Sequence, residues 1–293
     1  MKLVGSFVAL ASPFKAGAFD TDAYRAHAAH LIAEGTDGLV PIGTTGEAST
    51  MSPAEQALAV KTAVEAAKGK VPVIAGAGGN STSGTIESVK RVREAGADGA
   101  LIVTPFYNKP TQEGLVAHYK AIAAAHPGYP IVAYNVPGRT GVDLLPETCK
   151  RLCDVAEVVG VKEATASMTR MVDILEKCGA ERLALLSGDD FTIAPFISLG
   201  GKGVISVSAN VAPRMVADLV HAALAGDFKK ATALQVGLNA LHRALFLESN
   251  PIPVKAAMHL LGKFGPEMRL PLTPMSEGPK AKLVEAMKDL KLL

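Results

Sequence analysis

Eight short apolar, β-branched runs alternate along this chain with Ala-rich amphipathic segments, and this alternation limits the folds open to it. Runs that are apolar at nearly every position are typical of parallel strands covered on both faces. The segments between them open with capping residues and many close at glycine, as helices do. The sequence therefore predicts strands at 6–10, 38–43, 71–76, 99–104, 130–134, 157–162, 183–188 and 203–208.

Eight βα units predict an α/β fold of the closed (β/α)₈ TIM-barrel type. The alternative is a doubly wound open sheet, which usually carries a Gly-rich phosphate-binding turn after its first strand, and residues 6–17 contain none. Beyond about Ala225 the strand-like runs stop, and helical segments are predicted near 227–247, 251–262 and 279–290. We expect a catalytic barrel over 1–224 and a C-terminal helical region over 225–293, packed on the barrel flank.

The charge balance excludes several classes of partner. The chain of 293 residues has 30 basic and 28 acidic side chains, a net charge of +2, so we expect neither nucleic acid nor membrane as a partner. Its apolar runs are too short to cross a bilayer. The N-terminal apolar stretch is interrupted by Gly5 and Ser6 and followed by Pro13, which indicates a strand and a loop rather than an export signal.

No metal or cofactor motif is present in the sequence. Cys149 and Cys153 lie four residues apart, but no histidine or further cysteine completes a metal-binding set with them. The seven histidines fall mostly within the predicted helices. We therefore expect no metal and no cofactor, and we interpret the two cysteines and Cys178 as buried or half-buried reduced thiols of a cytoplasmic protein.

Lys162 stands at the end of the sixth predicted strand, directly after Val-Val-Gly-Val. In TIM barrels the chemistry collects at the carboxyl ends of the strands. An ammonium buried there has a lowered pKa, and a neutral amine can attack a carbonyl. The structural alternative is an ion pair with a carboxylate such as Glu163, and position alone favours that alternative.

Other polar residues lie at strand ends and are candidates for binding or proton transfer. Thr44 and Thr45 lie between two glycines, where backbone N–H groups and hydroxyls suit a carboxylate, although threonines in such a turn also cap helices. Tyr134 is a candidate proton relay or a core tyrosine. Arg139 suits a substrate carboxylate or is a surface arginine. Tyr107 lies in a loop too irregular to place.

Seven motifs together make the chain similar to the dihydrodipicolinate synthase family of pyruvate-dependent Schiff-base lyases and aldolases. The match covers essentially the whole length, and the motifs follow one another in order at the strand ends. They are GTTGE (43–47), TPFYNKPTQEG (104–114), YNVPGRT (134–140), GVKEAT (160–165), SGDD (187–190), GVISVSAN (203–210) and NPIPVK (250–255).

The resemblance implies that Lys162 is catalytic and forms a Schiff base with pyruvate. It implies that Tyr134 and Thr44 move protons, and that Tyr107 completes this relay from a neighbouring subunit. The chain would then act as a homo-oligomer, at least a dimer and by resemblance a tetramer of two tight dimers.

The resemblance also implies the substrate-binding residues. Thr45 would bind the pyruvate carboxylate, Arg139 would receive the carboxylate of L-aspartate 4-semialdehyde, and Gly188 and Ile205 would line the pocket. The product would be 4-hydroxy-tetrahydrodipicolinate, an intermediate of diaminopimelate and lysine synthesis.

Two alternatives stay open. Related aldolases of the N-acetylneuraminate or 2-keto-3-deoxygluconate type share the lysine and the tyrosine, but Arg139 and the double threonine favour the synthase. A catalytically silent barrel that serves as a binding protein is the second alternative. The presence of Lys162, Tyr134 and Thr44 speaks against it.

The chain departs from the family pattern at the site where many members bind inhibitory lysine. Of the residues that the pattern has there, only Asn80 is present. The other positions hold Ala48, Pro53, Gln56, Gly84 and Phe106. Lysine would lose a carboxylate partner for its ammonium and a phenol donor for its carboxylate, so we predict little or no feedback inhibition.

Overall fold

Eight parallel strands form the centre of the molecule in a computed structural model that describes all residues, 1–293. The strands are β1 (Gly5–Ala9), β2 (Gly38–Val40), β3 (Ile74–Gly76), β4 (Gly99–Val103), β5 (Ile131–Asn135), β6 (Val158–Glu163), β7 (Ala184–Ser187) and β8 (Gly203–Ser206). Each strand pairs with its sequence neighbours except β2 and β3, which are the two ends of the sheet, and β8 pairs with β1. A bridge between Leu39 and Val73 joins β2 to the segment before β3, so the predicted TIM barrel is confirmed.

Helices follow the strands and surround the barrel. They are α1 (Thr21–Ala33), α2 (Pro53–Ala67), α3 (Thr82–Glu94), α4 (Gln112–Ala125), α5 (Pro146–Leu152), α6 (Met168–Cys178), α7 (Ile193–Ser198), α8 (Pro213–Leu224), α9 (Phe228–Ala244), α10 (Ile252–Leu260) and α11 (Glu277–Asp289). A one-turn helix, Pro137–Thr140, follows β5. The capping residues predicted at helix starts are confirmed for two helices. Asp20 caps α1, and Ser52 forms a capping box with Glu55 at the start of α2.

Two strands, β2 and β3, are only half as long as the apolar runs predicted. β2 ends before Pro41, and β3 begins after Pro72. Proline has no N–H to donate to a neighbouring strand, so each proline interrupts the ladder although the run around it stays apolar.

The strands separate two buried apolar clusters. The larger cluster of 69 residues lies between the sheet and the helices. The smaller cluster fills the barrel interior, because side chains alternate between the two faces of a strand. Its members are Leu3, Phe7, Ala9, Val40, Ile74, Leu101, Val132, Tyr134, Leu186 and Ile205.

The C-terminal helices α9, α10 and α11 lie close to their predicted positions. They contribute Leu238, Val254 and Met287 to the larger cluster, so they share one core with the barrel helices. Beyond the predicted flank packing, His242 of α9 and Lys255 of α10 contact Ser208 and Glu47 in the segments that follow β8 and β2. The boundary at residue 224 stays a prediction. No helix has both the length and the apolar composition needed to cross a membrane.

Candidate active site

Lys162 and Tyr134 face each other inside the barrel at the carboxyl ends of neighbouring strands. They are register partners on β6 and β5, and the Lys162 Nζ lies 4.3 Å from the centre of the Tyr134 ring. The next register pair, Asn135 and Glu163, points to the opposite face. There the Glu163 carboxylate accepts hydrogen bonds from Asn135 Nδ2 at 3.0 Å and from the Thr165 N–H at 2.7 Å. Glu163 is therefore not an ion-pair partner of Lys162.

The Lys162 amine is buried without a contacting carboxylate. Its residue is 6% exposed, and no ion pair involves it. Burial lowers the pKa of Lys162 to about 8, the Asp190 carboxylate raises it in part, and the Arg139 guanidinium lowers it further. At neutral pH about a tenth of the side chains therefore carry a free amine, a far larger fraction than for an ordinary lysine.

Tyr134 keeps its phenol proton under ordinary conditions. Burial raises the pKa of Tyr134, while the positive charge of Arg139 and a hydrogen bond with the Thr44 side chain lower it in part. Thr44 itself is exposed in the turn after β2. A protonated phenol next to an amine and linked to a hydroxyl at the barrel mouth is able to pass protons between the buried site and solvent.

Asn250, in the segment before α10, connects the two candidate carboxylate-binding residues. Its Nδ2 donates to the buried Thr45 Oγ1 at 2.9 Å. Its backbone oxygen accepts a hydrogen bond from Arg139 Nη2 at 3.4 Å. Sequence reasoning gave Asn250 no role, although it begins the NPIPVK motif. Thr44 and Thr45 do not cap α2, because Ser52 does so.

A buried ion pair closes the same rim. Lys255 of α10 donates to the Glu47 carboxylate, and both side chains are almost completely buried. The Arg269 N–H donates to the other Glu47 oxygen at 3.2 Å. Burial lowers the pKa of Lys255, and the bonded Glu47 carboxylate opposes this shift. The pair ties the GTTGE loop to the C-terminal helices, a contact that the two motifs did not reveal separately.

Gly188 borders Lys162, and Ile205 lies in the barrel interior. A Cβ on Gly188 would lie 2.9 Å from Lys162 Cε and 2.6 Å from Ala164 Cβ, so only glycine leaves room for the lysine side chain.

Tyr107 is the one predicted site residue that lies apart from the others. Its side chain is 88% exposed in the single chain, on a residue with φ of +73°. The loop is fixed by a backbone hydrogen bond from Tyr107 to Thr140 and by Asn108 Nδ2, which donates to the Asn80 oxygen at 2.8 Å. Within one subunit Tyr107 adds nothing to the Lys162 site.

Neither the thiols nor the potential metal-binding side chains form a second candidate site. Cys149 is buried, Cys153 and Cys178 are half-buried, and all three are unpaired. No three His, Cys, Asp or Glu side chains come together in a group that could hold a metal ion.

Known proteins are similar to the chain in both sequence and fold. A sequence profile of the Dihydrodipicolinate synthetase family matches residues 2–290. The chain is 55% identical over 286 residues to a 4-hydroxy-tetrahydrodipicolinate synthase of Anaeromyxobacter dehalogenans, which covers 98% of this chain and 97% of the relative. It is 52% identical over 289 residues to the synthase of Geobacter sulfurreducens, with 99% of both chains covered.

Solved structures agree with the sequence comparison. A dihydrodipicolinate synthase of Acinetobacter baumannii, crystallised as a complex with pyruvate, superposes with a TM-score of 0.97 at 43% identity, and 100% of both chains is covered. The predicted family is therefore confirmed by sequence over nearly the full length and by fold over all of it. The chain belongs to the Dihydrodipicolinate synthetase family.

Proposed function

We propose that this chain is a lyase that condenses pyruvate with L-aspartate 4-semialdehyde to 4-hydroxy-tetrahydrodipicolinate, in the diaminopimelate route to lysine. The synthases to which it is more than half identical carry this activity in their names. The observation that carries the proposal is the Lys162 amine, buried without a contacting carboxylate at the carboxyl end of β6. Such an amine is a nucleophile for a ketone.

Covalent catalysis begins when neutral Lys162 adds to the ketone carbon of pyruvate. The carbinolamine takes up a proton and loses water, which leaves an iminium that draws electrons from the adjacent methyl group. Loss of a methyl proton gives an enamine. Its carbon attacks the aldehyde, whose oxygen takes up a proton to become a hydroxyl, and the iminium re-forms. The substrate amine then attacks the iminium carbon and displaces Lys162, which closes the ring.

Proton transfer in these steps is assigned to Tyr134, Thr44 and Tyr107. The ring of Tyr134 faces the Lys162 amine, and the Thr44 side chain lowers the pKa of the Tyr134 phenol in part. Tyr107 would complete the relay from a second subunit, because it is exposed in its own. The proposal therefore includes a homo-oligomer that is at least a dimer, and a tetramer by analogy with the family.

Substrate binding is assigned to Thr45, Arg139, Gly188 and Ile205. Thr45 and neighbouring backbone N–H groups would bind the pyruvate carboxylate, and Arg139 would bind the carboxylate of the aldehyde. Arg139 has few partners of its own, since its one hydrogen bond, to the Asn250 oxygen, is 3.4 Å long. We place the enzyme in the cytoplasm, which suits a biosynthetic activity and three unpaired thiols.

The decisive test measures turnover with pyruvate plus aspartate semialdehyde against cleavage of N-acetylneuraminate and 2-keto-3-deoxygluconate. We expect condensation and little cleavage of either sugar acid. A higher kcat/KM for a sugar acid would replace the proposed substrate while leaving the Schiff base intact. Borohydride trapping with pyruvate alone tests the second alternative, because a chain that gains no mass on Lys162 would be a binding protein.

A further inference from the structure

The buried hydroxyl of Thr45 accepts a hydrogen bond but donates none. Asn250 Nδ2 donates to Thr45 Oγ1 at 2.9 Å, and no oxygen or nitrogen of the chain accepts the hydroxyl proton. The backbone N–H of Thr45 also donates to no other residue. Thr45 is 3% exposed, and a buried donor without an acceptor is costly. Thr45 therefore offers two free donors, just beyond the end of β2, to a ligand that accepts hydrogen bonds.

Asn250 is held in place by contacts that do not use its side-chain amide. It is buried, and its backbone oxygen accepts a hydrogen bond from Arg139 Nη2 at 3.4 Å. Lys255, in the helix that follows, is paired with Glu47 of the loop that contains Thr45. Because this ion pair ties the start of α10 to the loop, the amide of Asn250 stays beside the Thr45 hydroxyl.

The donor end of the amide decides what the Thr45 hydroxyl is able to do. A hydroxyl has one proton to donate and two lone pairs that accept. Because the amide nitrogen of Asn250 has no lone pair to accept with, the hydroxyl proton points away from it. A hydrogen bond received at an oxygen also makes its O–H a stronger donor. An amide oxygen at the same place would instead accept the proton and withhold it from a ligand.

We propose that Asn250 is a positioning residue with two roles, carried by different atoms. Its side-chain amide directs the Thr45 hydroxyl as a donor to the pyruvate carboxylate, and its backbone oxygen holds Arg139 for the carboxylate of the aldehyde. This assignment rests on the proposed function, in which Thr45 and Arg139 bind these two groups. A side-chain substitution removes the first role and keeps the second, so the two roles are separable by experiment.

The test compares the wild type with Asn250→Leu, which has a similar size and no donor. The initial rate of borohydride trapping against pyruvate concentration, without aldehyde and read by mass spectrometry, gives the half-saturating pyruvate concentration. We expect this concentration to rise about fivefold, because the hydroxyl has lost the group that directs it. The kcat/KM for the aldehyde at saturating pyruvate should change less than about twofold. A merely structural role would lower that kcat/KM as well, because a displaced segment would no longer hold Arg139.

A double-mutant comparison shows whether Asn250 acts through Thr45. Thr45→Val should raise the half-saturating pyruvate concentration about tenfold or more, because a donor to a carboxylate is lost. Adding Asn250→Leu to Thr45→Val should change the value less than about twofold further. Two effects that multiply would refute the proposal.

Ser249→Ala is the matched control for the segment before α10. Ser249 is the exposed neighbour of Asn250, and its side chain makes no hydrogen bond. We expect its half-saturating pyruvate concentration and its kcat/KM for the aldehyde to equal those of the wild type. An effect as large as that of Asn250→Leu would show that any change in this segment disturbs the site, and would refute a specific role of the amide.

The sign of the effect tests which end of the amide faces Thr45. If Asn250→Leu traps pyruvate at an unchanged or a lower concentration, the amide does not direct the proton to the substrate, and the proposal is refuted. If the wild type traps nothing, the proposed function fails instead. If Asn250→Leu does not fold by circular dichroism, Asn250→Ala takes its place. A smaller rise is then expected, because water is able to replace the lost donor, and an unchanged value refutes the proposal.

Discussion

Two buried lysines at the barrel mouth have similar surroundings, but we propose opposite roles for them. Lys162 Nζ lies 4.3 Å from the centre of the Tyr134 ring, and Lys255 Nζ lies 4.4 Å from that of Phe14. Burial lowers the pKa of both. Lys255 is bonded to the Glu47 carboxylate, whereas no carboxylate contacts Lys162.

Burial alone is therefore not enough to make a lysine a nucleophile, since a contacting carboxylate also matters. The contacting Glu47 carboxylate favours the charged form of Lys255, and the pair links the GTTGE loop to α10. Without such a contact, part of the Lys162 population is neutral near pH 8 and available for attack. The presence of a carboxylate at Lys255 and its absence at Lys162 lead us to expect different results when each lysine is replaced.

The largest effect is expected from removing Lys162, the proposed nucleophile. Lys162→Ala should reduce kcat by about four to six orders of magnitude, because the covalent route is lost. Lys255→Ala should leave Lys162 as the residue that gains mass on trapping with pyruvate and borohydride. Tryptic mapping of the trapped protein checks both, and a pyruvate adduct on Lys255 would break the comparison.

Removing the paired lysine should act mainly on stability. Lys255→Met leaves the Glu47 carboxylate buried without its partner, so the free energy of unfolding should fall by about 3–5 kcal/mol in a urea titration. The double variant Glu47→Gln with Lys255→Met should recover much of this loss. If the double variant is as unstable as the single one, the unpaired charge is not the cause.

The same substitution at the unpaired lysine should have the opposite sign. Lys162→Met removes a buried ammonium, so it should stabilise the protein at neutral pH by about 2–3 kcal/mol. The pKa of Lys162 is about 8 in the folded chain and about 10.4 in an unfolded one. Between these values the unfolded state binds more protons, so wild-type stability rises with pH and the advantage of Lys162→Met shrinks. Urea titrations from pH 7 to pH 10 check this sign, and an advantage that grows with pH would contradict it.

The smallest effect is expected from adding free lysine, which should hardly inhibit the enzyme. A bound lysine needs a carboxylate for its ammonium, and Gly84 and Phe106 provide neither that carboxylate nor a phenol. Losing these contacts should weaken binding by at least about tenfold. We expect no inhibition by submillimolar lysine in a coupled assay, and half-inhibition in that range would refute the prediction.

The barrel and most of the Lys162 site could be predicted because their signals are local. Alternating strands and helices indicate the fold, and strand ends indicate where polar residues matter. Contacts between distant segments could not be predicted in this way. Asn250 with Thr45, Lys255 with Glu47 and His242 with Ser208 each join the C-terminal region to the barrel. Neither hydrophobic periodicity nor motif spacing predicts which of the two buried lysines forms an ion pair with a carboxylate.

The Glu47–Lys255 pair also has a consequence for the folding of the enzyme during translation. Its two residues are 208 positions apart, and Thr45 and Asn250 are 205 apart. Such contacts form only after a long loop has closed, which slows folding. During translation Lys162 emerges well before α10. A nascent barrel therefore contains the Lys162 amine before Asn250 and Lys255 can make their contacts with Thr45 and Glu47. Catalysis therefore has to wait for nearly the last helix to be made.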